Sequence, residues 1–347
     1  MLNDPSNSEL RQIFFELGFV TGSDHLSSLL RRARKAADVS DVTVLLEGET
    51  GTGKQVLAHA IHRLDRKRSP FAFVTVHCST ISEALAESEL FGHQRGAFSG
   101  AVSNRKGLFQ SGRSGTLFLD DVNDLPLALQ PKLLDVLQRG AVRPVGSDVE
   151  VPIDVRIIAA ANRPLEPLVR EGRFRSDLYH RLNVVRLELP ALRDRRGDLS
   201  CLILAFAHRH SSLYRPIAAV EPDLLRYLES QPLLGNVREL ENAVQRMLFL
   251  KTEGRSLTLD DWMRQVGSEA PAEKADLLAE SASAVWQTIT NRGVSYDQAL
   301  QEVEKRVLEA AINVPGSTRR QIAQQLNISE RALYYKMRAR GVASRLR

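Results

Sequence analysis

The amino-acid sequence predicts an α/β fold built on a parallel sheet, followed by an all-helical C-terminal part. Short apolar runs rich in β-branched residues alternate with longer stretches in which apolar residues recur every three or four positions. This alternation is typical of units in which a parallel sheet carries helices on both faces. From Pro190 onward only helical spacing remains, which predicts further, helical domains.

Length and composition agree with a multidomain globular protein. The chain has 347 residues, of which 43% are hydrophobic and 26% charged, enough for two or three domains. No apolar run approaches the ~20 residues that span a bilayer, and the first residues lack the pattern of a signal peptide. Cys78 and Cys201 show no metal-ligand spacing. We therefore expect a cytoplasmic protein with reduced cysteines and no membrane partner.

The net charge of +5 is concentrated at the C-terminal end. Residues 296–347 carry ten Lys and Arg against five Asp and Glu, and the first 295 residues hold 37 of each kind. A neutral body with a basic tail is typical of proteins that bind nucleic acid through that tail. A solvated basic tail without a partner is the alternative, and charge alone leaves both readings open.

The first strand leads into a glycine-rich turn that predicts a phosphate site. Val42–Leu46 has the pattern of a buried strand, and residues 56–64 follow at helical spacing. Between them lies a match to the G-x-x-x-x-G-K phosphate loop, made of Gly48, Glu49, Thr50, Gly51, Thr52, Gly53, Lys54 and Gln55. Backbone N–H groups, the helix N-terminus and the lysine all attract phosphate oxygens. The sequence therefore predicts that the chain binds a nucleoside triphosphate.

The later strands of the predicted parallel sheet end in polar residues. After the second strand, Phe73–Val76, the run Gly115–Leu119 ends at Asp120 and Asp121. Downstream of a phosphate loop, such a pair predicts that the first acid, Asp120, binds magnesium and that the second orients the attacking water. The strand that follows ends at Asn162, which can contact water or phosphate, and the last strand covers residues 184–189.

Three arginines are candidates for contact with the nucleotide. Arg175 and Arg181 lie six positions apart around a short helical turn. Arginine stabilises the charge on a transferring phosphoryl group, often across an interface, but a salt-bridged surface turn fits this spacing equally well. In the helical part, Asn236 is the expected N-cap of a helix, and Arg238 in its first turn faces either a nucleotide or solvent.

A glycine-bracketed aromatic residue predicts an exposed loop tip. The run consists of Gly96, Ala97, Phe98, Ser99, Gly100 and Ala101. Its composition is unsuited to a core helix, so we expect Phe98 and the neighbouring hydroxyl to point outward, as in a loop with a binding function.

The basic tail predicts a helix-turn-helix after an Ala-, Ser- and Glu-rich linker. Asp297–Ile312 is amphipathic, and Arg319–Leu326 and Glu330–Arg340 form the motif, with Ser329 as the cap of its second helix. The expected core consists of Ile322, Ala323, Leu326, Ile328, Leu333 and Met337. The residues expected to contact DNA are Arg319, Arg320, Arg331, Tyr334, Tyr335, Lys336 and Arg338.

Taken together, these motifs resemble the bacterial enhancer-binding proteins that activate sigma-54 RNA polymerase, within the AAA+ ATPases. Gly96–Ala101 looks like the GAFTGA loop of that family, with Ser99 in place of Thr. The resemblance implies ATP and Mg²⁺ as cofactors and a homo-oligomer, from dimer to hexameric ring. It further implies that the loop tips contact the sigma-54 RNA polymerase holoenzyme, that the tail binds upstream, enhancer-like double-stranded DNA, and that ATP hydrolysis opens the promoter.

The same resemblance implies a role for each motif. Gly48–Gln55 is similar to Walker A, the two acids to Walker B, and Asn162 to sensor I; Arg175 and Arg181 look like arginine fingers and Arg238 like the sensor II arginine. The implied domains are a short arm (1–20), an AAA+ nucleotide-binding subdomain (21–190), a helical lid (191–265), a linker (266–295) and a Fis-type DNA-binding and dimerisation domain (296–347).

Several positions near the nucleotide depart from the family pattern. Asp121 replaces a usual Glu and His77 a usual Asn, and Gln55, Ala161 and Leu234 are further changes. Two readings of His77 stay open: it holds the shorter carboxylate of Asp121 through a hydrogen bond, or it only ends its strand and packs beside Cys78. The alternative function is a DNA-binding regulator that binds ATP, hydrolyses it poorly and acts without remodelling sigma-54. Because only a short arm precedes the ATP site, we expect regulation by expression level or by a separate protein that binds the ring.

Overall fold

The structure, a computed structural model, describes residues 5–79, 83–210, 216–251, 253–268, 295–312, 318–325, 330–340 and 342. The chain divides into two compact units, Met1–Gln265 and Val266–Arg347. Within the described residues, the helices are all too short or too polar to cross a membrane.

Helices and strands alternate through the first part of the chain, as predicted. The helices up to residue 268 are α1 (Asn7–Glu16), α2 (Ser27–Asp38), α3 (Lys54–Leu64), α4 (Glu83–Phe91), α5 (Leu108–Ser111), α6 (Gln130–Arg139), α7 (Leu165–Arg170), α8 (Ser176–Leu182), α9 (Leu199–Arg209), α10 (Pro222–Ser230), α11 (Asn236–Leu250) and α12 (Leu259–Ser268). The strands are β1 (Val44–Glu47), β2 (Phe73–His77), β3 (Gly92–His93), β4 (Arg105–Lys106), β5 (Thr116–Asp120), β6 (Ala141–Val142), β7 (Val151–Pro152), β8 (Arg156–Ala161), β9 (Val185–Glu188), β10 (Ala219–Val220) and β11 (Ser256–Leu257).

Five of these strands form one parallel sheet in the order β2-β5-β8-β1-β9. Val44 of β1 lies opposite Ile158 on one side and Val185 on the other, so β1 is an inner strand. Because the order changes direction at β1, the loop that follows this strand opens at a topological switch point, where parallel sheets bind ligands. The predicted parallel α/β sheet is confirmed.

The side chains along each strand alternate between the two faces of the sheet. A separate hydrophobic core therefore lies on each face. Leu45, Leu117 and Ala159 pack with the helices α4, α6, α7 and α8. Leu46 and Phe118 point the other way and pack with α1, α2 and α3. This is the arrangement expected when side chains on a strand alternate between faces that are both buried.

The segment predicted as a short arm, residues 1–20, contains α1. Its start carries a capping box in which the Ser6 side chain accepts from the Glu9 backbone N–H and Glu9 accepts from the backbone of Ser6. Leu10 and Phe14 of this helix are fully buried with α2 and β1. The helix is thus packed into the core of the α/β body.

The region after Pro190 is mainly helical and has its own core, which includes Leu202, Phe206, Leu240 and Met247. The prediction that it is entirely helical is wrong in one detail, because β10 and β11 form a small parallel pair. Each of these strands has two residues, which is too short for an alternating pattern to reveal them.

Over its described residues from 295 onward, the second unit contains α13 (Tyr296–Ile312), α14 (Arg319–Gln325) and α15 (Glu330–Ala339). Four predicted core residues are confirmed as buried, and they pack with Leu308: Ile322, Ala323, Leu333 and Met337. Val303 and Val307, from the apolar face predicted for α13, stay 38% and 49% exposed. Leu326, Ile328, the cap residue Ser329 and nearly all of the predicted linker lie outside the described residues.

Candidate nucleotide-binding site

A cavity of about 230 Å³ opens at the carboxyl edge of the sheet, above β1 and β5. It is lined by Thr50, Gly51, Gly53, Lys54, Gln55, Val56, Asp120, Asp121, Val237, Arg238 and Glu241. The structure therefore brings the predicted phosphate loop, both acids and one of the three candidate arginines to a single place. A cavity between a glycine-rich loop, two carboxylates and two cations has the chemistry of a site for a polyphosphate with its counter-ion.

The phosphate loop turns sharply before α3 begins. Gly51 and Gly53 have φ angles of 80° and 104°, in the left-handed region that other residues rarely adopt. The Lys54 Nζ donates to the carbonyl oxygens of Gly48, at 2.6 Å, and Glu49, at 2.9 Å. Burial lowers the pKa of Lys54, and the nearby carboxylates of Asp121 and Asp120 oppose that shift. The side chain is thus held at the cavity wall.

The two acids have different partners. His77 lies opposite Asp120 in the β2–β5 register, and its Nδ1 is 3.3 Å from the Asp120 Oδ2. Asp121 adopts a left-handed backbone with φ of 52°, and its Oδ1 accepts from the Asn162 Nδ2 at 3.1 Å. Of the two readings of His77, the hydrogen bond to Asp121 is therefore not the one observed: Asn162, which follows β8 on the other side of β5, makes that bond.

Asn236 does not serve as the N-cap that the sequence predicted. The helix α11 begins at Asn236 itself, which has a left-handed φ of 56°, and Gly235 precedes it as the cap residue. The Asn236 Oδ1 accepts from the Leu192 backbone N–H at 2.8 Å, and its Nδ2 donates to the Thr50 carbonyl at 3.0 Å. The side chain therefore joins the phosphate loop to the helical region, a role that local spacing does not reveal.

Arg175 and Arg181 lie away from the cavity of their own chain. Arg175 precedes α8 and pairs with Asp177, with an Nη2–Oδ2 distance of 2.8 Å. The Arg181 Nη2 donates to the Leu137 carbonyl at 2.6 Å. Both arginines are exposed and neither lines the cavity, so within one chain only Arg238 of the three predicted arginines meets the phosphate loop.

The glycine-bracketed loop lies on the hairpin formed by β3 and β4. The backbone N–H of Gly96 donates to the Ala101 carbonyl at 2.8 Å and closes the loop at its base. Gly96 and Gly100 have φ angles of 84° and 116°, and a Cβ on either would meet no atom within 4 Å. Phe98 is 41% exposed, and its ring centroid lies 5.0 Å from that of His93. The structure thus places Phe98 at the surface, as expected.

The residues predicted to contact DNA lie on the surface of the second unit where their side chains are described. Tyr334 and Tyr335 of α15 are 52% and 55% exposed. Also exposed are Arg319, Arg320, Lys336 and Arg338, while the side chain of Arg331 lies outside the described residues. Sequence reasoning missed that Glu304 of α13 binds Lys336, with an Nζ–Oε1 distance of 2.6 Å.

Comparison with known families gives the class to which this fold and site belong. Residues 19–188 match the Sigma-54 interaction domain, residues 193–278 the AAA+ ATPase lid domain, and residues 299–339 the Fis family of bacterial regulatory proteins. The class is thus an AAA+ transcription regulator with a sigma-54 interaction domain and a Fis-type helix-turn-helix. This confirms the predicted fold class.

Individual relatives agree with this class. The chain is 36% identical to the regulatory protein AtoC of Escherichia coli K12 over 324 residues, which cover 93% of this chain and 68% of AtoC. It is 39% identical to ZraR of the same organism, with the same coverage of both chains. It covers only 34% of the transcriptional activator HyfR, to which it is 49% identical over 227 residues. The chain belongs to the family of sigma-54-dependent transcriptional regulators.

Among solved structures, NtrX from Brucella abortus in complex with ADP is similar to this chain, with a TM-score of 0.68 and 30% identity. The match covers 96% of this chain and 72% of NtrX. A second structure of NtrX, in complex with ATP, matches with a TM-score of 0.66.

Proposed function

We propose that this protein is an ATP-hydrolysing activator that binds upstream DNA and remodels the closed complex of the sigma-54 RNA polymerase holoenzyme. The observation that supports it most is the convergence of Lys54, Asp120, Asp121 and Arg238 on one cavity of a chain that also carries an exposed sigma-54-type loop. Hydrolysis of ATP supplies the free energy, and the loop delivers the resulting movement to the polymerase.

The residues around the cavity fit ATP with magnesium. Lys54 and Arg238 provide positive charge for the phosphates, and NtrX, a relative of the same architecture, has been solved with ADP and with ATP. Among the described residues no group of three or more His, Cys, Asp or Glu could hold a metal. Magnesium keeps several waters and binds through one or two carboxylates plus the phosphates. Asp120 would hold it, and the ion would neutralise phosphate charge.

The second acid and the two exposed arginines also have roles in this proposal. Asp121, held by Asn162 at 3.1 Å, positions the attacking water. Arg175 and Arg181 are exposed on the surface, where they could reach the nucleotide of a neighbouring subunit in a ring. Phosphoryl transfer depends mainly on such placement and on charge stabilisation, so the reaction needs the assembled oligomer.

The second unit supplies the DNA contact in this proposal. Val303 and Val307 leave an apolar strip on α13 uncovered within the unit, which fits a two-fold dimer through that helix. A dimer would place two copies of α15 in successive major grooves, about 34 Å apart, on an inverted repeat.

Promoter opening by variants of the exposed loop tests the proposal. Phe98→Ala should abolish opening by sigma-54 holoenzyme while ATP turnover stays within about two-fold, because the ring lies outside the nucleotide cavity. Ser99→Ala should cause a milder loss. Val102→Ala is the matched control, because Val102 is 83% exposed and apolar but lies outside the six-residue motif.

Two outcomes would contradict parts of the proposal. Unaltered promoter opening by Phe98→Ala would reject the remodelling role of the loop. ATP binding without measurable turnover, with or without sigma-54, would favour the alternative of a DNA-binding regulator that uses ATP only as a ligand.

A further inference from the structure

The backbone carbonyls of the phosphate loop accept hydrogen bonds from three residues of the region after Pro190, of which Asn236 and Arg195 lie outside the cavity lining. The Asn236 Nδ2 donates to the carbonyl oxygen of Thr50 at 3.0 Å. The backbone N–H of Val237 donates to the Gly51 carbonyl at 3.0 Å, and the Arg195 Nη2 donates to the Thr52 carbonyl at 2.6 Å. Three successive carbonyls of the loop are thus bound by the region after Pro190.

This pattern matters because of how a phosphate loop binds its ligand. The loop presents backbone N–H groups to phosphate oxygens, so its carbonyls must turn away from the ligand. Buried carbonyls that turn away need donors on the other side. Donors placed there fix the orientation of the peptide planes, and with it the direction of the N–H groups in the cavity.

The two side chains that donate to the loop carbonyls are buried and tightly packed. Asn236 is fully buried and Arg195 is 3% exposed. A Cβ built on Gly51 would lie only 2.2 Å from the carbonyl oxygen of Gly235, so the two backbones are in direct contact. Gly51 is therefore required by this contact as well as by its left-handed φ of 80°.

An ion pair extends the same contact to the surface. The Arg193 Nη1 donates to the Glu49 Oε2 at 2.8 Å, and the Asn236 Nδ2 donates to the same oxygen at 3.2 Å. Glu49 belongs to the phosphate loop and Arg193 to the helical region. The loop is thus held through one side chain and three backbone carbonyls.

We propose that Asn236 and Arg195 are positioning residues for the phosphate loop: they set its N–H groups for phosphate binding without touching the nucleotide. The inference rests on the proposed nucleotide binding and adds residues that the sequence motifs did not include. A displacement of the helical region is transmitted to the loop through these hydrogen bonds, so nucleotide affinity reports the state of that contact.

Titration of the full chain with a fluorescent ADP analogue tests the proposal through Asn236→Asp. The aspartate keeps the acceptor for Leu192 and tolerates the left-handed backbone, but loses the donor to Thr50. We expect affinity to fall about ten-fold, which corresponds to about 1.4 kcal/mol. Because the effect is on binding, KM for ATP should rise by a similar factor while kcat stays within about two-fold. Arg195→Lys, which keeps the charge but not the planar donor group, should act in the same direction.

Asp261→Asn is the matched control. It breaks a buried ion pair of the same region, in which Lys251 Nζ lies 2.7 Å from Asp261 Oδ2, but it lies outside the cavity and the loop contacts. This variant should lower thermal stability and leave ADP affinity unchanged. If Asn236→Asp fails to fold, Glu49→Gln, at the exposed end of the contact, should still weaken binding.

The outcomes separate this inference from the function on which it rests. Wild-type protein that does not bind the ADP analogue overturns the proposed nucleotide binding. Wild-type binding that Asn236→Asp, Arg195→Lys and Glu49→Gln all leave unchanged overturns the positioning role. Weaker binding in Asp261→Asn to the same extent would also overturn it, because the effect would then follow stability alone.

Discussion

Asp121, the second of the two acids at the end of β5, has an unusual backbone conformation. Its left-handed φ of 52° is a conformation that Asp adopts more readily than most residues, since its short side chain can hydrogen-bond locally. The Asn162 Nδ2, 3.1 Å away, fixes one carboxylate oxygen and leaves the other for water. His77 lies beside Asp120 instead, so the two acids are held by different neighbouring strands.

This arrangement predicts that Asn162→Ala lowers ATP turnover by about ten-fold, since losing one hydrogen bond that orients a carboxylate costs roughly 1 kcal/mol or slightly more. Affinity for ADP should change little. Asn7→Ala is the control, because the Asn7 side chain accepts a hydrogen bond from Arg31 and does not line the cavity.

A double-mutant cycle of Asn162→Ala with Asp121→Asn measures whether these two residues act together. Contacting residues give non-additive effects, so the double variant should be scarcely worse than Asp121→Asn alone. Strict additivity of the two losses would show that the hydrogen bond does not serve the reaction.

At the scale of a single helix, α13 carries a carboxylate that pairs with two cations in and just after α15. Glu304 of α13 is bound by both Lys336 and Arg340, each with an N–O distance of 2.6 Å. These two cations lower the pKa of Glu304, so it is ionised at neutral pH. Lys336, which is predicted to contact DNA, and Arg340 are therefore already paired with a carboxylate of their own unit.

Glu304→Gln should consequently bind DNA more tightly and with a steeper salt dependence. Each cation released to a phosphate adds about 0.9 to the slope of log K against log salt. The slope should thus rise by roughly one to two units, measured by fluorescence anisotropy over a series of salt concentrations. Glu302→Gln removes the same charge from the same helix, but Glu302 pairs with Arg306, so it is the matched control. Equal effects of the two variants would reject a specific role for Glu304.

At the scale of the whole molecule, the question is whether one chain holds the complete nucleotide site, since Arg175 and Arg181 do not line its cavity. The cavity holds the phosphate loop, both acids and Arg238, whereas Arg175 and Arg181 are paired with groups of their own chain elsewhere. If a ring supplies them from the neighbouring subunit, each site needs two chains.

Mixing two inactive variants tests this requirement. Lys54→Ala lacks the phosphate-loop cation and Arg181→Ala lacks the arginine, so each alone should lose turnover. In an equal mixture, about one quarter of head-to-tail interfaces would join an intact loop to an intact arginine. Turnover should therefore reappear on mixing. Replacing the Lys54→Ala partner with the double variant Lys54→Ala, Arg181→Ala removes such interfaces, and recovery in that mixture as well would contradict the shared site.

The sequence by itself determined the architecture and most of the nucleotide site. The alternation of apolar strands with helical spacing gave the parallel sheet, because side-chain periodicity follows directly from backbone geometry. The phosphate loop and the acids could be located because glycines, a lysine and carboxylates at strand ends have few other uses in that order. Four helix-turn-helix core residues were found in the same way, from local spacing.

Only the tertiary structure decided which residues meet across the sheet and across the region after Pro190. Asn162, and not His77, bonds to Asp121 because of the strand order, which the local sequence does not encode. Asn236 looked like a helix cap, but its side chain binds the phosphate loop 186 positions away. Such contacts join residues that are distant in the chain, so their geometry follows from packing of the whole domain and not from any local pattern.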